Sequence, residues 1–444
     1  MPRNWVLVGL VSVLLVPTGG VALDAAPGTP GVDWFRFLGP TLDAKSPEIG
    51  TNKDWSTDPL PVVWQREVGE GYAAPSIARG RLFFFDRHGD RARLVALDKN
   101  TGKELWRSEY PTQYVDMYDY SGGPRASPVI DADRVFAFGV EGLLRAHSFS
   151  SGEVLWEVDT TGRFHVVQNF FGVGSTPIVE GDLLITMIGG SPPDSPPIHS
   201  EEVEGAGSGI VAFEKSNGDI RYSITNELAS YSSPVIHDIG GRRWAFAFTR
   251  GGLVGFEPSR GLVEFEFPWR SRKLESVNAA TPILVDDAVL ITESYGPGGA
   301  VIRPLPGKFE VVHADNPRQR SKSIAAHWST PVFYKGYVYG SSGESSGNSD
   351  LRCIDPRTGD IQWSEKMPRA TLMYVDGHFV VLTERGRMIL VRATSESYSP
   401  VAEVDLGDEL GFPSWNAPVL SHGLLYVRGS KKLLALELIS APRN

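Results

Sequence analysis

The sequence predicts an all-β chain: an eight-bladed β-propeller with four-stranded antiparallel blades, the ring closed by an N-terminal strand in the last blade. Three observations predict it. The eleven residues ALDKNTGKELW (Ala96 to Trp106) return as AHSFSSGEVLW (Ala146 to Trp156), AFEKSNGDIRY (Ala212 to Tyr222), GFEPSRGLVEF (Gly255 to Phe265) and CIDPRTGDIQW (Cys353 to Trp363). Between these copies a small residue and a proline lead into alternating apolar runs such as APSIARGRLFFF and SPVIDADRVFAF. A last copy starts at Ala435 without its aromatic, whereas LPVVWQREVG (Leu60 to Gly69) carries Trp64 with no unit before it.

Taken in order, residues 1–22 read as an export signal: Arg3 precedes an apolar run from Trp5 to Val16, too short for a stable membrane anchor, with cleavage expected near Ala22. No Cys follows the run, so no lipidation on that pattern is expected. Residues 23–58 read as a Pro/Gly-rich leader, of which Trp34 to Pro40 are expected to pack on the outer blades. Residues 59–440 form the propeller. Its units begin at Pro75, Pro128, Pro177, Pro234, Pro282, Pro331, Leu372 and Pro418, at intervals of 41 to 57 residues.

Period-2 alternation bounded by Gly, Asp and Asn marks half-buried strands in hairpins. Each unit reads as strand A after the proline, B across a Gly turn, C ending at the small residue and D carrying the aromatic, the make-up of a propeller blade. In the eleven residues, Gly at the seventh place takes positive φ in the C–D turn, and Asp98 and Asp355 are placed to bond local amides. The aromatic at the eleventh place offers a flat face to the next blade. Weaker copies surround Gly307 and Ser397, and seven blades is the fallback count should these poor copies, at Val301 to Val311 and Val391 to Val401, mislead.

Composition bounds function. The 444 residues carry a net charge of −10, which argues against a nucleic-acid groove. The one cysteine, Cys353, excludes an internal disulfide or a thiolate metal cluster, and its place in the repeat marks it as a buried small hydrophobe. No second segment has the length and apolarity of a transmembrane helix, so a soluble exported monomer, periplasmic or extracellular, is expected.

The A-x-D-x-x-T-G-x-x-x-W grammar of Ala96, Asp98, Thr101, Gly102 and Trp106 resembles the tryptophan-docking motif of pyrroloquinoline quinone (PQQ) repeat propellers. DWFRFLGP, GPRASPVI and VNAATPIL are similar to exported PQQ-like propellers of planctomycete-type bacteria, a group that spans relatives of the assembly factor BamB and quinoprotein alcohol dehydrogenases. The resemblance implies the fold across about Asp33 to the C-terminus. Quinoprotein dehydrogenases of this fold share a vicinal Cys–Cys disulfide and a Glu, Asn and Asp set around Ca²⁺; Cys353 alone cannot supply the first. BamB-like lipoproteins carry a lipidated Cys that this sequence lacks.

In a propeller the D–A and B–C connections meet at the channel mouth. Three are long here: Tyr110 to Ala126, Gly189 to Gly209, and Glu266 to Ala280. The residues three before each unit's marker are Tyr72, Arg125, Gly174, Tyr231, Ala279, Trp328, Arg369 and Trp415, with Asn278 and His327 one residue earlier in two units. Four aromatics and two arginines at equivalent rotations could stack on and pair with a planar anionic ligand; the blander reading is that the rings plug the funnel and the arginines bond neighbouring carbonyls. Asp116, Asp119, Glu293 and Glu344 are mouth-facing carboxylates that could partner a cation, and the histidines show no zinc spacing. Two functions follow: a non-catalytic scaffold binding an envelope protein, polysaccharide or small ligand, or a dehydrogenase oxidising alcohols or sugars with PQQ and Ca²⁺.

Overall fold

The computed structural model describes residues 1, 31–56, 60–198, 203–276 and 278–440; the export-signal reading and Glu201 and Glu202 of the acidic loop lie outside them. Eight sheets of four propeller strands each radiate from one axis. Blade 1 is Ser76–Ala78, Arg81–His88, Arg91–Asp98 and Glu104–Pro111, each strand antiparallel to the next. Both weak copies are full blades: Ile283–Val285 to Lys308–Ala314, and Ala370–Val375 to Pro400–Asp405. The ring closes as expected. Val62–Glu67 pairs antiparallel with Lys432–Glu437 and sets Trp64 opposite Ala435.

The eleven-residue grammar now has coordinates. In every blade the C and D strands slip register by a bulge, in six of them beside a small–aromatic pair such as Ala96 opposite Trp106 and Cys353 opposite Trp363, and in blades 5 and 7 beside Val301–His313 and Leu390–Ala402. A bulge twists the strand and re-aims its side chain, here toward the following blade. The indole of Trp64 lies under the C–D turn of blade 1, where Gly102 has φ 67° and a Cβ would come within 2.7 Å of the ring. Glycine is required there twice over, for its backbone and for the space. Five rings also spend their polar atom on the next blade: Trp64, Trp106, Trp156 and Trp363 donate Nε1–H to the carbonyls of Lys99, Phe149, Lys215 and Thr394, and Tyr222 donates to Pro258. Asp98 and Asp355 accept local amides as expected, and Cys353 is fully buried, with burial pushing its thiol up to about 12.

The leader departs from expectation. Trp34 to Pro40 do not pack on the outer blades; the segment crosses the floor of the ring on the innermost strands. Trp34 and Phe35 accept amides of Ile77 in blade 1 and Ile130 in blade 2, Leu42 joins the core of blades 3 to 5, and Lys45–Ser46 adds a parallel strand to Ala370–Val375 of blade 7. The Glu48 carboxylate then accepts the amides of His422 and Gly423 in blade 8 and of Val32 at the leader's own start. The physical reason is edge pairing: innermost strands leave amides unbonded toward the axis, and an extended apolar segment satisfies them.

Candidate functional site

With the floor closed by Phe37 and Leu38, the channel becomes a blind cavity of about 220 Å³, open only at the mouth. Its waist is built by the residues just before the marker prolines. Each hydroxyl accepts the equivalent amide of the preceding blade: Ser127 N–H to Thr176, Thr176 to Ser233, Ser233 to Thr281 and Thr281 to Thr330, at 3.0 to 3.2 Å. This belt fixes the angular spacing of the residues two positions earlier.

All eight of those positions, Tyr72, Arg125, Gly174, Tyr231, Ala279, Trp328, Arg369 and Trp415, line the cavity, as does His327. Asn278 does not. It is buried, its φ is 48°, and its Nδ2 donates to the carbonyls of Thr249, Arg250 and Trp269, while its buried Oδ1 has no partner among the described residues. Its chemistry is that of a loop brace. Tyr120, Phe171 and Tyr295 also line the cavity and come from loops outside the repeat register. Tyr295 stands in the B–C loop of blade 5, and its position in a mouth-facing loop beside Glu293 was the available signal.

The rings form a connected wall. Trp415 lies 4.9 Å from Tyr72, 5.0 Å from Trp328 and 5.8 Å from Tyr120, and Phe171 lies 5.5 Å from Tyr231. Arg369 sits over Trp328 at 4.4 Å.

Both arginines are already paired. Arg125 Nη2 meets the buried Asp116 carboxylate at 2.5 Å, and Arg369 donates to the fully buried Glu384 from Nε at 3.1 Å and Nη2 at 2.8 Å. Burial raises the Glu384 carboxyl, but hydrogen bonds from Arg369, Ser346 and Trp415 outweigh it and the net shift is down.

His327 is pushed down to about 3, first by burial and then by Arg369, and is neutral. Arg369 can only donate, and its Nη1 lies 3.1 Å from His327 Nδ1. The imidazole proton is therefore on Nε2, facing the Tyr295 hydroxyl at 2.7 Å. Tyr295 accepts, and its own proton is left for the cavity. Asn416 and Ser329 also line the cavity, but their Oδ1 and Oγ atoms are buried away from it, with no partner among the described residues. The cavity thus offers flat apolar faces and one hydroxyl donor, with its charges internally cancelled.

The other flagged carboxylates are dispersed. Asp119 is exposed, Glu344 pairs with Lys273 at 3.3 Å, and Glu293 is buried against Ser276 and the Tyr295 amide. Burial raises Glu293 to about 7. Among the described residues no three His, Cys, Asp or Glu side chains converge as metal ligands. The donor set does not fit Ca²⁺, and two neutralised arginines do not fit the carboxylates of PQQ.

Fold and site define a class: an eight-bladed propeller with docked aromatics and a blind aromatic pocket at its mouth. The family model for outer membrane protein assembly factor BamB matches residues 53–191, 90–302 and 203–399, and the chain belongs to this PQQ-like, BamB-like family. BamB of Shewanella oneidensis is 31% identical over 110 residues, 23% of this chain and 27% of that protein, so the match spans about a quarter of the relative's length. The crystal structure of BamB from Moraxella catarrhalis superposes with a TM-score of 0.59 at 12% identity, covering 87% of this chain and 99% of that one. The quinohemoprotein alcohol dehydrogenase from Comamonas testosteroni gives 0.66 at 12% identity, covering 93% and 81%. At these identities the two structures are similar in fold.

Proposed function

We propose that the chain is an exported, non-catalytic binding protein of the cell envelope, and that its mouth pocket receives an uncharged flat polar group such as the sugar ring of an envelope polysaccharide. The single observation that carries this reading is the charge-cancelled aromatic pocket with an unspent Tyr295 hydroxyl. Sugar rings stack their C–H faces on aromatic walls and fill such hydrogen-bond sites, and bare cations are not needed for it. Family membership supports an envelope protein as a further partner. The rim beside the pocket exposes Val115 at 81%, Phe412 at 62% and Tyr120 at 58%, an apolar edge of the sort that protein partners cover. Among the described residues the carboxylates near the mouth are dispersed, which supports the binding reading over the quinone-dependent dehydrogenase.

Titration of the purified chain with neutral oligosaccharides, read by indole fluorescence, tests this. Saturable quenching is expected, weakened about tenfold by Tyr295→Phe with stability changed by about 1 kcal/mol or less. A stoichiometric quinone spectrum with PQQ and Ca²⁺, and dye reduction by alcohols, contradicts it.

A further inference from the structure

The mouth pocket has one way in, because Phe37 and Leu38 of the leader close its floor. A polymer therefore cannot thread the ring. Only a free end enters, and whatever follows the terminal unit must leave past the rim. The long D–A loop of blade 1 forms part of that rim, and its rings continue the wall of the pocket outward. Tyr231 lies 5.5 Å from Phe171, and Phe171 lies 5.5 Å from Tyr118, which is not part of the cavity wall and is 46% exposed. Tyr120 lies 5.8 Å from both Phe171 and Trp415 and is shared between wall and rim.

Tyr118 is not what anchors its loop. The buried Asp116 carboxylate does that, accepting the amides of Tyr118 at 2.9 Å and Tyr120 at 3.3 Å through Oδ1 and the Arg125 guanidinium through Oδ2. Asp119, between the two tyrosines, has φ 59°, and its amide reaches the Asp116 carbonyl at 3.2 Å, which closes the turn. The Tyr120 carbonyl accepts the Tyr72 hydroxyl at 3.2 Å. Rings that seal the blades bury themselves, Trp64 and Trp156 at 8% each; Tyr118 leaves nearly half its surface in water. A flat ring on a loop already fixed from below loses little freedom when a ligand stacks on it.

We propose that Tyr118 forms an outer subsite for the second ring of a neutral oligosaccharide whose terminal ring fills the pocket, so that the protein binds chain ends. This rests on the sugar-binding reading of the pocket. The ladder from Tyr231 through Phe171 to Tyr118 supplies successive apolar faces along the one path out, which is what consecutive rings of a glycan require. A protein partner seated on the same rim would cover Tyr118 without reference to the pocket, and the dependence on ligand length separates the two.

Calorimetric titration of the full chain with cello- and malto-oligosaccharides, from monosaccharide to tetrasaccharide, tests this alongside a long neutral glucan. In the series that binds, affinity is expected to rise about tenfold from one ring to two, and the long glucan to take one protein per chain end whatever its length. Tyr118→Ala, a surface change that leaves the fold alone, removes most of that gain and spares single-ring binding, whereas Tyr118→Phe keeps the gain. Silence from every sugar removes the sugar-binding reading of the pocket, and this subsite with it. Three other results overturn the chain-end proposal alone and leave the pocket reading standing: no gain on lengthening, a gain that survives or a loss equal at every length in Tyr118→Ala, or a protein count that grows with glucan length.

Discussion

The junction between blades 2 and 3 and the junction between blades 7 and 8 meet one packing requirement with different parts. At the first, Trp156 slides beneath the turn at Gly218 and donates to the Lys215 carbonyl. At the second, the residue in the same register is Ala402, opposite Leu390. The reason lies in closure. Blade 8 takes its outer strand from Val62–Glu67, so its C and D strands are not joined by a turn, and a ring from blade 7 would have nothing to dock beneath. The leader seals this seam instead. Lys45–Ser46 pairs with blade 7, the Asp376 carboxylate of blade 7 accepts the Gly50 and Thr51 amides, and Glu48 and Asn52 bond blade 8. A repeat supplies identical seals only where the chain is continuous; where it breaks, a segment outside the repeat is needed.

The comparison breaks most easily at the ring. Trp156→Ala leaves a cavity and an orphaned Lys215 carbonyl, and denaturant unfolding should show a loss of about 3–5 kcal/mol. Glu48→Ala leaves three amides without their acceptor and should cost about 2–3 kcal/mol by the same measurement. Ala402→Trp should not restore it, because the seam offers no turn.

The third prediction concerns pH at the mouth. Glu293 has a folded value raised by burial to about 7 against an ordinary 4.5. Between those values the native state holds the proton that the unfolded chain has released. The stabilisation is therefore complete below about 4.5 and is lost as pH rises through about 7. Glu293→Gln should flatten this slope, on the order of 1–3 kcal/mol, in stability measured across that window.

What was legible in the sequence follows the same division. Periodicity exposed the blades, the closing strand through Trp64, and all eight cavity-lining positions, because residues at one register must occupy one rotation about the axis. Tyr295, Phe171, Tyr120 and Glu384 escaped because loops carry no period. Asn278 was chosen for its place in the chain, and a loop residue with positive φ can turn its side chain away from the channel. The Pro/Gly-rich composition of the leader does not show that it crosses the floor, because one extended pass satisfies scattered amides with no pattern of its own.

The central claim is that the leader replaces the missing ring at the closing seam, and hydrogen exchange on Glu48→Ala tests it most directly. Amides of Ala370–Val375 and of residues 419–423 should exchange faster, while Ile178–Glu180 and Leu183–Met187 at the tryptophan-sealed junction keep their protection. Unchanged exchange at the seam, or an equal increase in all eight blades, would contradict it.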